Sequence, residues 1–154
     1  MSDFTISTSN EGSALKLTIV GQVNENFAFD DLDLAGADTI HLDLDGIVMM
    51  NSSGVKRWFK FIEAIPGETK IVYHNVPPII VTQMNIVEGF LSPNAGVETF
   101  YAPYFDEEND EEVKKLLKPA DVVDKKAPTL TNEGGEELEF DALEETYFKF
   151  LDKL

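Results

Sequence analysis

The chain has 154 residues, 43% of them hydrophobic and 11 of them Phe, which is enough apolar surface for one compact domain with an appendage and too much for a disordered chain. Its formal net charge of −17 sets it against nucleic acid and anionic lipid. It contains no cysteine, which excludes disulfides, thiol nucleophiles and thiolate metal sites.

The start, Met1-Ser2-Asp3-Phe4, has no basic region followed by an apolar run, so no secretory leader is expected. No apolar stretch approaches the ~20 residues of a membrane span. The expectation is a soluble cytoplasmic protein, with no nucleic-acid or membrane partner.

Phe4, Ile6 and Thr8 alternate with Thr5 and Ser7, and Leu15, Leu17 and Ile19 alternate with Lys16 and Thr18. Both runs predict half-buried strands, joined by a turn at Asn10-Glu11-Gly12-Ser13. Residues 27–37 leave room for a short or irregular helix. Ile40, Leu42 and Leu44 then alternate with His41, Asp43 and Asp45. A strand with carboxylates on one side is not buried on both, so the sheet is expected to carry helices on one face and stay partly open on the other. Val55, Trp58, Phe59, Ile62 and Ile65 recur at helical spacing, opposite Lys56, Arg57, Lys60 and Glu63. Ser52 or Ser53 is the expected N-cap and Pro66-Gly67 the stop. Ile71 to His74 predicts a strand, and Pro77-Pro78 opens a helix from Ile79 to Leu91. Val97 to Tyr104 predicts a last strand.

The composition shifts near Phe105. There are 13 acidic and 5 basic residues before it, and 16 and 7 from it onward, so the shorter part is roughly twice as acidic per residue. This divides the chain into 1–104 and an extension, 105–154. The extension is expected to close with an amphipathic helix that has Asp141 as N-cap, Glu144 three residues on, and an apolar stripe of Leu143, Tyr147, Phe150, Leu151 and Leu154. That stripe must cover the open sheet face or meet a partner. The order of 106–135 is open.

The most informative segment is Leu42 to Gly54, where an alternating strand runs through the polar turn Asn51-Ser52-Ser53-Gly54 into a helix. Two adjacent hydroxyls there meet unpaired helix amides, which suits anion binding or a modifiable serine, and suits plain helix capping equally. Lys56, Arg57 and Lys60 are the one basic cluster, either a solvated helix face or a docking face beside the turn. Asp106, Glu108, Asp110 and Glu112 alternate like calcium-loop ligands, but the glycine and spacing of an EF-hand are missing. His41 and His74, far apart in sequence, read as exposed or hydrogen-bonded structural residues, and Asp43 and Asp45 as polar positions of an open strand. No Ser/His/Asp arrangement, phosphate-binding glycine loop or metal-ligand cluster can be assembled, so neither catalysis nor a cofactor is expected.

Strand and helix order, with Leu42-Asp43-Leu44, Asn51-Ser52-Ser53-Gly54 and Gly21 at the end of the second strand, resembles the STAS domain of bacterial anti-sigma factor antagonists over roughly Phe4 to Tyr104. The resemblance implies an α/β fold, β-β-α-β-α-β-α-β, with a mixed sheet and helices mainly on one face. It implies a non-enzymatic signalling module whose serine after the turn's first residue, here Ser52, is phosphorylated by a kinase that is also the anti-sigma factor. The family has Asp where this chain has Asn51, which removes a charge. Asn51, Ser52, Ser53, Gly54, Lys56, Arg57 and Lys60 are then the partner-binding residues, and a homodimer is a further expectation. The alternative is a nucleotide or anion sensor using the same helix terminus. The tail resembles a zinc-ribbon appendage that has lost its cysteines, with Asp106 and Asn109 at the first ligand pair and Leu130 and Glu133 near the second.

Overall fold

The computed structural model describes residues 3–154; Met1 and Ser2, and the expectation placed on them, lie outside that range. Five strands form the first sheet: β1 (Phe4–Glu11), β2 (Ala14–Val23), β3 (Thr39–Met50), β4 (Lys70–His74) and β5 (Ala95–Val97). They lie in chain order, with β1 antiparallel to β2 and the other pairs parallel. The two crossover helices are α1 (Ser52–Glu63) and α2 (Pro78–Ile86). The architecture is mixed α/β, as the alternation predicts.

One side of the sheet holds Leu15, Leu17, Ile19, Ile40, Leu42, Leu44, Ile71 and Tyr73, all buried. The other carries Lys16, His41, Asp43 and His74, half-exposed. Covering one face and leaving the other polar is what a strand of alternating Leu and Asp requires. Under the covered face, Trp58 of α1 packs with Phe27, Phe61, Tyr73 and Phe90, and its ring stacks on Phe90 at 6.2 Å and 5°. The Trp58 indole N–H donates to the Tyr73 hydroxyl at 3.3 Å, so the buried polar ends of both rings are satisfied.

Three expected elements differ. Residues 27–37 form no helix: the segment has no helical period, and it buries Phe27 and Leu34 from an irregular path. α2 stops at Ile86 rather than Leu91, because the chain reverses through Gly89 at φ +80° to place Phe90 against Trp58. The last strand divides. β5 ends the first sheet, and β6 (Phe100–Asp106) is the centre of a second, antiparallel sheet between β7 (Glu111–Leu117) and β8 (Glu139–Phe140).

The change of composition near Phe105 falls inside β6, and one continuous apolar cluster runs through both sheets. Phe100 and Phe140 meet Phe148 and Phe150 of the C-terminal segment edge-on or stacked. That segment is one turn of helix, α3 (Glu144–Tyr147), continued by a 3₁₀ turn over Lys149–Lys153. It packs against α2 and β6, not across the open sheet face. Asp141 does not cap it: the N-cap is Leu143, with no side-chain cap, the Asp141 amide donates to the Pro103 carbonyl, and the Glu144 carboxylate accepts from the Ala127 amide at 2.6 Å. The shift to 3₁₀ geometry changes the buried stripe. Tyr147, Phe148 and Phe150 are inside, while Leu143 is 77% exposed.

The turns at Asp106–Asn109 and Asn132–Gly135 are joined by hydrogen bonds. Buried Asp106 accepts from the Asn109 side chain at 2.8 Å and from the Asn132 side chain at 3.1 Å. Asn132 therefore stands opposite Asp106, where Leu130 and Glu133 were expected; Leu130 pairs with Leu138 through the backbone, and Glu133 lines the hollow beside the turns. The two amides hold the Asp106 carboxyl below its ordinary range, Asn109 first.

Candidate functional site

The mouth of α1 is shaped by Asn51. Its backbone is extended, and its side-chain oxygen accepts the Gly54 amide at 2.8 Å, while its carbonyl accepts the Val55 amide at 2.9 Å. Asn51 is the N-cap, in place of the expected Ser52 or Ser53. Asparagine three residues before the capped amide is as good a capping signal as serine. The consequence is chemical. Ser52 and Ser53 are exposed, and their hydroxyls and first-turn amides have no partner among the described residues.

Gly54 is buried. A Cβ there would stand 1.8 Å from the Val23 carbonyl oxygen at the end of β2, so only glycine lets the helix rest on the strand. The Asn51 amide donates to that same Val23 carbonyl at 3.3 Å. The end of β2 is fixed in turn. Gly21 is at φ +109°, and a Cβ on it would lie 2.3 Å from the Asp3 carbonyl. Asp3 accepts from Asn26 at 2.8 Å and Asn24 at 3.0 Å, which lowers its carboxyl pKa. The Asn51 amide group reaches Glu25 at 3.4 Å. The two serines thus ride on a braced corner of three chain segments.

Lys56, Arg57 and Lys60 are all exposed, and none is in an ion pair among the described residues. In a helix, residues four apart share a face. Lys56 follows Ser52 by one such step and Lys60 by two, and Arg57 follows Ser53. Hydroxyls and cations therefore form one strip along α1. Its opposite side is buried through Trp58 and Phe61. All seven partner-binding residues expected from the sequence meet at this corner, with Gly54 as its buried support and not a contact surface.

The open face brings together groups that sequence alone keeps apart. His41 and His74 touch, because the parallel register sets β4 beside β3. Asp43 accepts from the Asn75 side chain at 3.1 Å and from the Asp45 amide at 3.2 Å, so it is a structural acceptor. In the acidic stretch, Asp106 is occupied by its amide donors Asn109 and Asn132. No group of three His, Asp or Glu among the described residues is arranged to hold a metal ion.

No protein-family model matches this chain, and no curated protein matches it. No helix among the described residues is long and apolar enough to cross a membrane.

Proposed function

We propose that the chain is a non-enzymatic regulator resembling anti-sigma factor antagonists, which docks a protein partner in the cytoplasm through the Ser52–Lys60 strip. The observation that carries this reading is the division of labour at the mouth of α1. Asn51 caps the helix, and two exposed hydroxyls stay free beside three unpaired cations. A cap that also had to serve as the modifiable group would be poorly suited to both tasks.

Ser52 is the residue of choice for phosphorylation by a kinase-type partner. A phosphate there brings a charge of about −1.5 to −2 to a helix N-terminus and lies one turn from Lys56. It would engage the cations that otherwise face a partner, so modification weakens docking. The cap is the neutral Asn51 where the family carries a carboxylate, a departure that counts against kinase recognition and leaves Lys56 and Arg57 as the charged groups beside Ser52. Intact-mass measurement of the protein isolated from its own cells, with the site located by fragmentation, tests the modification. Phosphate on Ser52 supports it, and a wholly unmodified protein under every growth condition argues against it.

The free first-turn amides favour one second reading, a nucleotide or anion sensor. Thermal-shift screening with nucleotides separates the two. A stabilising hit that is lost in Ser52→Trp favours the sensor.

A further inference from the structure

His41 on β3 and His74 on β4 stand on the open face, diagonally across the strand pair: His41 is opposite Val72, and His74 is opposite Asp43. The diagonal brings Nδ1 of His41 to 2.8 Å from Nε2 of His74. The ring centroids are 5.0 Å apart, so the two nitrogens lie close to the line between the ring centres and face each other head-on. Two imidazoles that share a metal ion aim their lone pairs at a third point instead. This contact has the geometry of a shared proton.

The number of protons it can hold is limited. The neutral pair carries two, one between the rings and one on an outer nitrogen. A third goes to the remaining outer nitrogen, and the contact survives as a charge-assisted hydrogen bond. A fourth has no place except the facing nitrogen. Two N–H groups would then point at each other between two positive rings, and the contact must open.

The charged groups around the pair are Glu11 at the end of β1, Lys16 on β2, Asp43 on β3 and Glu98 after β5. Three carboxylates against one ammonium favour the first added proton. Burial, and after it the neighbouring ring of His41, holds His74 below the ordinary imidazole value, which opposes the second.

A second feature adjoins His74. Asn75 is held at φ +53°, in the left-handed region. Its side chain donates to Asp43, its amide donates to the Thr99 hydroxyl at 2.8 Å, and that hydroxyl donates back to the Asn75 side-chain oxygen at 3.3 Å. Val76 then donates to the Thr99 carbonyl and accepts from the Tyr101 amide. The residues just after His74 are the join between the first sheet and β6.

We propose that His41 and His74 are one proton-sharing unit, an acid-sensitive latch that ties β4 to β3 until a second added proton forces it open and loosens the Asn75–Thr99 clasp beside it.

NMR titration of the full chain between about pH 8 and about pH 4 tests this, following both imidazoles and the Asn75 and Thr99 amides. Both rings are expected to report the same two steps, at least about one pH unit apart, with the two amides moving in the lower step. His41→Gln and His74→Gln should each leave a single one-proton step on the remaining ring and remove the lower amide shift. Two independent, overlapping one-proton steps in the wild-type protein overturn the proposal, as does an amide shift that persists in both variants. The wild-type titration decides the matter alone if either variant fails to fold.

Discussion

Gly54 and Val23 meet more closely than any other side chain would permit: a Cβ on Gly54 would be 1.8 Å from the Val23 carbonyl oxygen. Backbone, not a flexible side chain, is the obstacle, so the helix start has to move. Gly54→Ala should cost about 1–3 kcal/mol, the usual range for overpacking, read as a lower urea midpoint at unchanged slope. Because α1 shifts relative to β2, the variant should also lose partner binding while keeping its exposed serines.

Asn51 holds the same turn by a different force. Asn51→Ala removes the bond to the Gly54 amide and should destabilise by about 0.5–2 kcal/mol. Asn51→Asp keeps the cap and adds a negative charge favoured by the positive end of α1, but it replaces the donor to Glu25 with a second carboxylate, so the two effects should offset and leave it within about 0.5 kcal/mol of the parent. Thermal denaturation of the pair at two salt concentrations separates capping from charge.

The fold was legible where periodicity was strong. Leu15-Lys16-Leu17 and Leu42-Asp43-Leu44 alternate cleanly, and Val55, Trp58, Phe59 and Ile62 mark the apolar side of α1, so these elements and the one-sided sheet follow from the chain alone, although Phe61, outside that stripe, is buried in α1 beside Trp58. The rest needed tertiary information. Glu98 and Thr99 carry no turn signal strong enough to separate β5 from β6. The 3₁₀ continuation after Tyr147 replaces a helical stripe with a tighter one. The contact between His41 and His74 exists only once β3 and β4 are set in parallel register. At the candidate site the residues were visible in sequence, but not their roles, since serine and asparagine cap helices with similar preference.

Asp106 should make the second sheet acid-sensitive. Its pKa is lowered from 3.8 by the Asn109 and Asn132 amides, so the folded state binds this proton less readily than the unfolded chain. Its contribution is fully present above the unfolded value and is lost as pH falls through the folded one. Asp106→Asn should flatten the dependence of stability on pH below about 4, while the parent loses stability there. Denaturant midpoints at a series of acid pH values provide the comparison.

Asn85 binds the C-terminal segment to α2 from both sides. Its side chain donates to the Tyr147 carbonyl at 2.9 Å and accepts from the Phe150 amide at 2.7 Å. Asn85→Ala leaves both backbone groups without these partners and should cost about 1–3 kcal/mol. The loss is local, so limited proteolysis should cut within 143–154 before the rest of the chain unfolds.

The central claim is that a protein docks on the strip from Ser52 to Lys60 and that charge at Ser52 opposes it. The direct measurement is quantitative co-purification from the protein's own cells of tagged wild type, Ser52→Ala, Ser52→Asp and a Lys56→Glu/Lys60→Glu double variant. The account predicts one protein enriched with the wild type and Ser52→Ala, and depleted at least about tenfold with the other two, a loss of about 1.4 kcal/mol in binding. Equal recovery of the same partners with all four would contradict it.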